Sequence, residues 1–243
     1  MSGHSKWNNI KRKKEKTDAA KAKIFTKIGR EISVIVKAGG PNPQENSKLK
    51  DAIAKARSFN MPNDNIQRVI KKAAGDSDSS NYEAVTYEGY GPSGIAVIVE
   101  TLTDNRNRTA GDVRHYFDKF GGNMGTSGCV MFMFDYYGVI IIEKEDVDED
   151  KLMEDAIECG AMDFITDDEE IYEIRTDAND LGAVTAALQE KGYTFVSSET
   201  AYIPQTYTRI EDQDNMKGMS KMLDLFDDND DIQGVWHNWE NEE

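Results

Sequence analysis

The apolar pattern of this chain changes period at residues 76–81, and that change fixes what the chain can fold into. Before it, Phe25, Ile28, Ile32 and Ile35 recur at helical spacing, as do Leu49, Ala52, Ile53 and Ala56, and then Ile66, Val69, Ile70 and Ala73. Spacings of three and four place each set on one face of an α-helix. Asp18 suits the N-cap of the first helix, and Gly39-Gly40-Pro41 ends it. Asn60-Met61-Pro62-Asn63 separates a second helix over 47–58 from a third that closes at Gly75. Three helices around a small, Ala-rich core are therefore predicted, followed by a polar linker at Asp76–Asn81.

Beyond the linker the signals are those of strands. Glu83–Tyr90 and Ile95–Thr101 read as a hairpin across Gly91-Pro92-Ser93-Gly94, and a helix over Arg106–Phe120 ends at Gly121-Gly122. Short strands are expected at Val130–Phe134 and Val139–Glu143. A strand around Ile140–Ile142 then leads to a helix near Asp148–Cys159, strands at Ala161–Ile165 and Ile171–Thr176, a helix at Leu181–Gly192 and a strand at Thr194–Tyr202. That βαββαβ order is ferredoxin-like. After Pro204 come a short strand near Thr206–Ile210, a helix carrying Met216, Met219, Leu223 and Phe226, and a strand at Ile232–His237. Neither 83–134 nor 204–243 buries a sheet alone, so the two are expected to pair. The reading is an α+β chain of three domains. An N-terminal three-helix domain (18–75) follows a basic extended tail (1–17), a discontinuous α+β domain comprises 83–134 plus 204–243, and an acidic ferredoxin-like α+β domain (135–203) is inserted into it.

Charge is segregated along the same boundary. The formal net charge is −16, yet residues 1–75 hold 18 Lys and Arg against 6 Asp and Glu, while residues 76–243 hold 11 against 39. A surface charge acts within a Debye length of about 8–10 Å, so a basic third can grip a polyanion although the whole chain is acidic. The competing reading is that the basic third docks on the acidic rest of the same chain. No stretch of about 18 apolar residues exists to form a transmembrane helix. Met1-Ser2-Gly3-His4-Ser5-Lys6-Trp7 opens onto a basic run rather than a signal peptide's apolar segment. Cys129 and Cys159 make no disulfide framework, and three scattered histidines make no zinc site. A cytoplasmic protein without a membrane partner is expected.

The tail supplies Lys6, Lys11, Arg12, Lys13, Lys14 and Lys16, which can lie along phosphates, and Trp7, whose face can stack on a base. The helices continue the theme with Lys21, Lys23, Lys27 and Arg30, then Lys48, Lys50, Lys55 and Arg57, then Arg68, Lys71 and Lys72. Lys23, Lys27 and Arg30 share one helix face, as phosphate tracking requires. In Thr103-Asp104-Asn105-Arg106-Asn107-Arg108-Thr109, at a helix start, Arg106, Arg108 and Arg114 either clamp a phosphate or pair with Glu100, Asp104 and Asp112. Catalysis finds no support. Gly121–Gly128 lacks Walker or dinucleotide spacing. Asp227-Asp228-Asn229-Asp230-Asp231 is followed by Ile232 and Asn238 where a calcium loop needs Gly and Glu, so it reads as a solvated turn. Asp167-Asp168-Glu169-Glu170 reads as a hairpin tip, where like charges suit solvent or a basic partner. No enzymatic activity, cofactor, metal or small-molecule substrate is expected, and nothing suggests other than a monomer.

Taken together, these segments resemble the YebC/PmpR family, which includes the mitochondrial translational activator of cytochrome c oxidase. The resemblance rests on Gly3-His4-Ser5-Lys6-Trp7 with Ile10-Lys11, Gly39-Gly40-Pro41-Asn42-Pro43, Asn60-Met61-Pro62 with Asn65-Ile66, Lys71-Lys72-Ala73-Ala74-Gly75, Tyr87–Gly94 and Thr103–Thr109. It implies a three-domain fold and a nucleic-acid partner reached through the basic segments. Members are usually labelled transcriptional regulators of promoter DNA; others resemble ribosome-associated, rRNA-binding factors that ease translation through proline-rich stretches. The chain departs from the family at Asp135-Tyr136-Tyr137-Gly138, where relatives tend to be basic, and at Cys129, which stands where a small hydroxyl residue is common and reads as a packed thiol.

Overall fold

The computed structural model describes residues 18–75 and 82–241; the tail expected at 1–17 and the linker expected at 76–81 lie outside the described residues. The chain divides into two compact units, one containing the helical region with 82–134 and 204–241, the other comprising 135–203.

In the first unit, helices α1 (Asp18–Gly39), α2 (Ser47–Ser58) and α3 (Asn63–Gly75) pack through the predicted apolar faces. Ile28, Ile32, Val36, Leu49, Ala52, Ile53, Ala56, Met61, Ile66, Ile70 and Ala73 form their core. Asn46 fixes the first corner. Its Oδ1 accepts the Leu49 N–H at 3.1 Å, capping α2, and its amide donates to the carbonyls of Ile35 and Gly40. The second corner turns through Asn60, which adopts a φ of 58°.

The α+β part follows with β1 (Glu83–Tyr90), β2 (Ala96–Thr103), α4 (Arg106–Lys119), β3 (Asn123–Met124) and the start of β4 (Phe134–Glu143). After 204 come α7 (Gln213–Asp228) and β8 (Ile232–His237). These strands form one sheet of order β3-β1-β2-β8, antiparallel throughout. Both halves of the sequence thus contribute to one sheet, and α4 and α7 close over it, with Phe117 edge-on to Phe226 at 5.4 Å between ring centres. Gly89 is required where the sheet meets α4, because a Cβ there would sit 2.5 Å from the Asn123 carbonyl oxygen and 3.0 Å from the Phe117 ring.

Two expected strands are corrected. Val130–Phe134 is not a strand: Met131–Met133 form a 3₁₀ turn and β4 begins at Phe134. The buried Glu88 carboxylate takes the N–H groups of Gly128, Val130 and Met131 at 2.6, 2.9 and 2.8 Å, removing them from any ladder. Thr206–Ile210 makes only a single parallel bridge, Thr208 to Trp239. Side chains hold this segment instead: Asn238 donates to the Thr206 carbonyl, and Asn241 brackets both backbone groups of Ile210.

The second unit runs β4, α5 (Glu149–Glu158), β5 (Asp163–Ile165), β6 (Ile171–Asp177), α6 (Leu181–Glu190) and β7 (Ser197–Pro204). Its sheet order, β5-β6-β4-β7, completes the ferredoxin-like arrangement. Ile140, Ile142, Leu152, Ala156, Tyr172, Ile174, Val184 and Leu188 form the core between sheet and helices. The Asp167–Glu170 tip is not wholly solvated. Asp168 is buried, and its Oδ1 accepts the N–H groups of Glu170 and Ile171.

Candidate nucleic-acid interface

The cations expected to meet phosphate fall into two classes. On α2, the buried Leu49, Ala52, Ile53 and Ala56 turn Lys48, Lys50 and Arg57 outward, and all three are exposed. Arg57 Nε donates to Asn63 Oδ1 at 3.3 Å, next to the start of α3. On α3, Ile66, Ile70 and Ala73 face the core, so Arg68, Lys71 and Lys72 lie together on the opposite face, all exposed. None of these six makes an ion pair with a carboxylate among the described residues. Between Lys48 and Gly75, 7 basic side chains accompany only Asp51 and Asp64.

The α1 face is different. Lys23 pairs with Asp228 at 2.7 Å, Lys27 donates to the Asp227 carbonyl at 2.8 Å, and Arg30 binds Asp231 at 2.6 Å and the Asp230 carbonyl at 2.9 Å. Arg30 also lies 5.4 Å from the centre of the Tyr82 ring. Lys23, Lys27 and Arg30 do share a face, but that face is docked on the acidic turn after α7 rather than open to a polyanion. Lys55 is likewise engaged, with Glu31 at 3.0 Å. Lys21 is exposed on α1. Lys23, Lys27 and Arg30 thus follow the competing reading, in which the basic third docks on the acidic rest of the chain, whereas Lys55 pairs within the helical region itself.

The second basic spot resolves in the same direction. Asn105 caps α4 by accepting the Arg108 N–H, and Thr103 Oγ1 accepts the Asn105 N–H. Asp231, an acid that the sequence does not point to, comes to this helix start. Its Oδ2 takes Arg108 Nη2 at 2.6 Å and the Thr109 hydroxyl at 2.7 Å, and Arg108 also holds Asp104 at 2.8 Å. Arg108 is therefore an internal partner rather than a phosphate clamp, while Arg106 and Arg114 remain exposed. Burial pushes the Asp231 carboxyl up, but the hydrogen bonds from Arg108, Thr109 and Arg30 outweigh it and hold the group below the ordinary range.

Asp231 is the residue that sequence reasoning misplaces. The acidic run at 227–231 is legible as composition, but as a solvated turn; nothing local marks one member as the meeting point of helices α1 and α4. Lys6, Trp7, Lys11, Arg12, Lys13, Lys14 and Lys16 lie outside the described residues. Among the described residues no group of three or more His, Cys, Asp or Glu is placed to hold a metal ion, and no helix is long and apolar enough to cross a membrane.

Comparison with known proteins covers nearly the whole chain. Residues 5–76 match the family described as the TACO1/YebC protein N-terminal domain, and residues 82–239 match the TACO1/YebC second and third domain. A probable transcriptional regulatory protein of Acetivibrio thermocellus is 61% identical over 240 residues, 98% of this chain and 99% of that protein. One from Ruminiclostridium cellulolyticum is 58% identical over 244 residues, 100% of this chain and 98% of its own length. The crystal structure of a conserved hypothetical protein from Aquifex aeolicus superposes with a TM-score of 0.83 at 42% identity, covering 93% of this chain and 92% of that one.

Proposed function

This chain belongs to the TACO1/YebC family, and we propose that it is a non-enzymatic, nucleic-acid-binding regulator of gene expression, acting on DNA in transcription. The observation that carries the reading is the cationic surface of α2 and α3. Lys48, Lys50, Arg57, Arg68, Lys71 and Lys72 project from a packed helical core and are exposed. Rigid helices that present several unneutralised cations track a phosphate backbone and gain affinity by releasing its counterions. The relatives are named probable transcriptional regulatory proteins, which puts DNA first. The α1 face contributes structure instead, by fixing the helical region against the acidic turn.

Crosslinking the full chain in cells and sequencing the attached nucleic acid tests this reading. Recovery of promoter DNA supports it. Recovery of rRNA in its place replaces it with the ribosome-associated reading, and recovery of no nucleic acid overturns both.

A further inference from the structure

Five large hydrophobic residues stay exposed among the described residues, and three of them fall within ten positions of the ferredoxin-like unit: Met153 at 39%, Ile157 at 63% and Met162 at 63%. Scattered singly, such side chains need no explanation; gathered, they mark a contact surface. Helix α5 seats Leu152 and Ala156 in the core. Met153 and Ile157, four residues apart, stand in line on the flank beside that seam. Outside them runs a second line, Asp150, Glu154 and Glu158, again four apart and all exposed. On the opposite flank Asp155 holds Lys191 and Tyr193, at 2.7 and 2.6 Å, which ties that side to the end of α6. Lys191 also reaches Glu158 at 2.6 Å, so Asp150 and Glu154 are the acids that the outer line offers to a partner. Met162 stands apart from this stripe: it lies just before β5, an edge strand of the sheet, beside Tyr137, Asp163 and Arg175. Its N–H donates to the Arg175 carbonyl at 2.7 Å, which fixes the backbone that carries it.

We propose that this stripe is a docking surface for a basic amphipathic helix of another protein. Such a helix would set a row of aliphatic side chains on Met153 and Ile157 and a row of Lys or Arg on Asp150 and Glu154. Charge selects the occupant. Residues 135–203 hold 20 Asp and Glu against 4 Lys and Arg, so a nucleic acid or an acidic peptide is repelled. A neutral apolar helix leaves the acidic row without counter-charge, and a second copy of this chain in a two-fold contact sets acids against acids. A cationic helix satisfies both lines with the same spacing, because its own i and i+4 side chains match theirs. The surface belongs to a different unit of the chain from the cationic helices, so this inference stands apart from the nucleic-acid reading.

The test uses the full chain and a fluorescein-labelled peptide of Leu and Lys in amphipathic helical order, about 18 residues or five turns long. A scrambled peptide of the same composition is the control. The ordered peptide is expected to bind about tenfold more tightly than the scrambled one, and the double variant Met153→Ser with Ile157→Ser to lose about the same factor. Glu154→Lys is expected to weaken binding as well, with the urea midpoint of each variant unchanged because the altered side chains are exposed. Equal binding of the two peptides would reduce the effect to bare charge attraction and overturn the proposal. So would undiminished binding by the double variant, no binding by the unaltered chain, or a concentration-dependent dimer in sedimentation that Ile157→Ser dissolves.

Discussion

Arg30 Nη1 stands 2.6 Å from Asp231 Oδ1, while the other oxygen of the same carboxylate receives Arg108 at 2.6 Å and the Thr109 hydroxyl at 2.7 Å. One side chain, 5% exposed, thereby joins α1, the start of α4 and the turn that leads into β8. Removing it would leave two guanidinium groups without their shared partner. Arg108, 47% exposed, regains water, but Arg30, 19% exposed, does so only in part. Asp231→Ala is therefore expected to cost about 3 kcal/mol, read as a fall in the urea midpoint. Asp228→Ala, which breaks only the exposed pair with Lys23, is expected to stay within about 0.5 kcal/mol of the unaltered chain. Equal losses in the two variants would show that the hub is not at Asp231.

The same carboxylate sets an acid limit. Asp231 is held below its ordinary value of 3.8 despite burial, which acts the other way. Asp155, in the ferredoxin-like unit, is held down by hydrogen bonds from Lys191 and Tyr193. A depressed carboxyl contributes stability that is complete above the unfolded pKa and is lost as the pH falls through the folded one. Urea stability is expected to decline below about pH 4, more shallowly in Asp231→Asn than in the unaltered chain. Identical acid slopes would remove Asp231 from the account.

What the sequence makes legible, and what it hides, follows from the range of the interactions. Ile28, Ile32, Leu49, Ile53, Ile66 and Ile70 announce their helices by period, and the structure buries every one. The ferredoxin-like order is legible for the same reason, since each of its strands and helices carries its own alternation or spacing. Asp231 is not. Its partners lie 201 and 123 positions away, and a charge pair at that distance has no period to read. The stretch 130–134 misleads for a related reason. Its apolar residues alternate with nothing that distinguishes strand from 3₁₀ turn, and the deciding group, Glu88, lies 42 positions before Val130. The exposed cations Lys48, Lys50, Arg57, Arg68, Lys71 and Lys72 are identified by composition alone, and only packing separates them from Lys23, Lys27 and Arg30, which the acidic turn has taken.

Glu88 itself is testable. It is 4% exposed and accepts three backbone N–H groups, from Gly128, Val130 and Met131. Glu88→Ala would orphan donors that the loop cannot turn to another partner, at a cost of at least about 2 kcal/mol. Glu88→Gln keeps one acceptor oxygen and is expected to fall between that variant and the unaltered chain. Amide exchange at Gly128, Val130 and Met131 is the direct measurement, and unchanged protection in Glu88→Ala would show that the loop is held by something else.

The division between free and engaged cations makes a prediction about salt. Each phosphate contact contributes about 0.7 to the slope of log affinity against log salt on single strands and about 0.9 on duplex DNA. If Arg68, Lys71 and Lys72 each meet one phosphate, replacing all three with Ala is expected to lower the slope by about 2 on single strands and by about 3 on duplex. Because these side chains are exposed on the face of α3 opposite its core, the urea midpoint is expected to hold. Lys23→Ala and Lys27→Ala remove cations already bound to Asp228 and to the Asp227 carbonyl, so the slope is expected to stay as it was. Fluorescence anisotropy with a labelled duplex across a salt series reads both variants. A slope that falls with the α1 substitutions and not with the α3 substitutions would mean that the acidic turn releases α1 when a polyanion binds, and the cationic surface would then have to be reassigned to that helix.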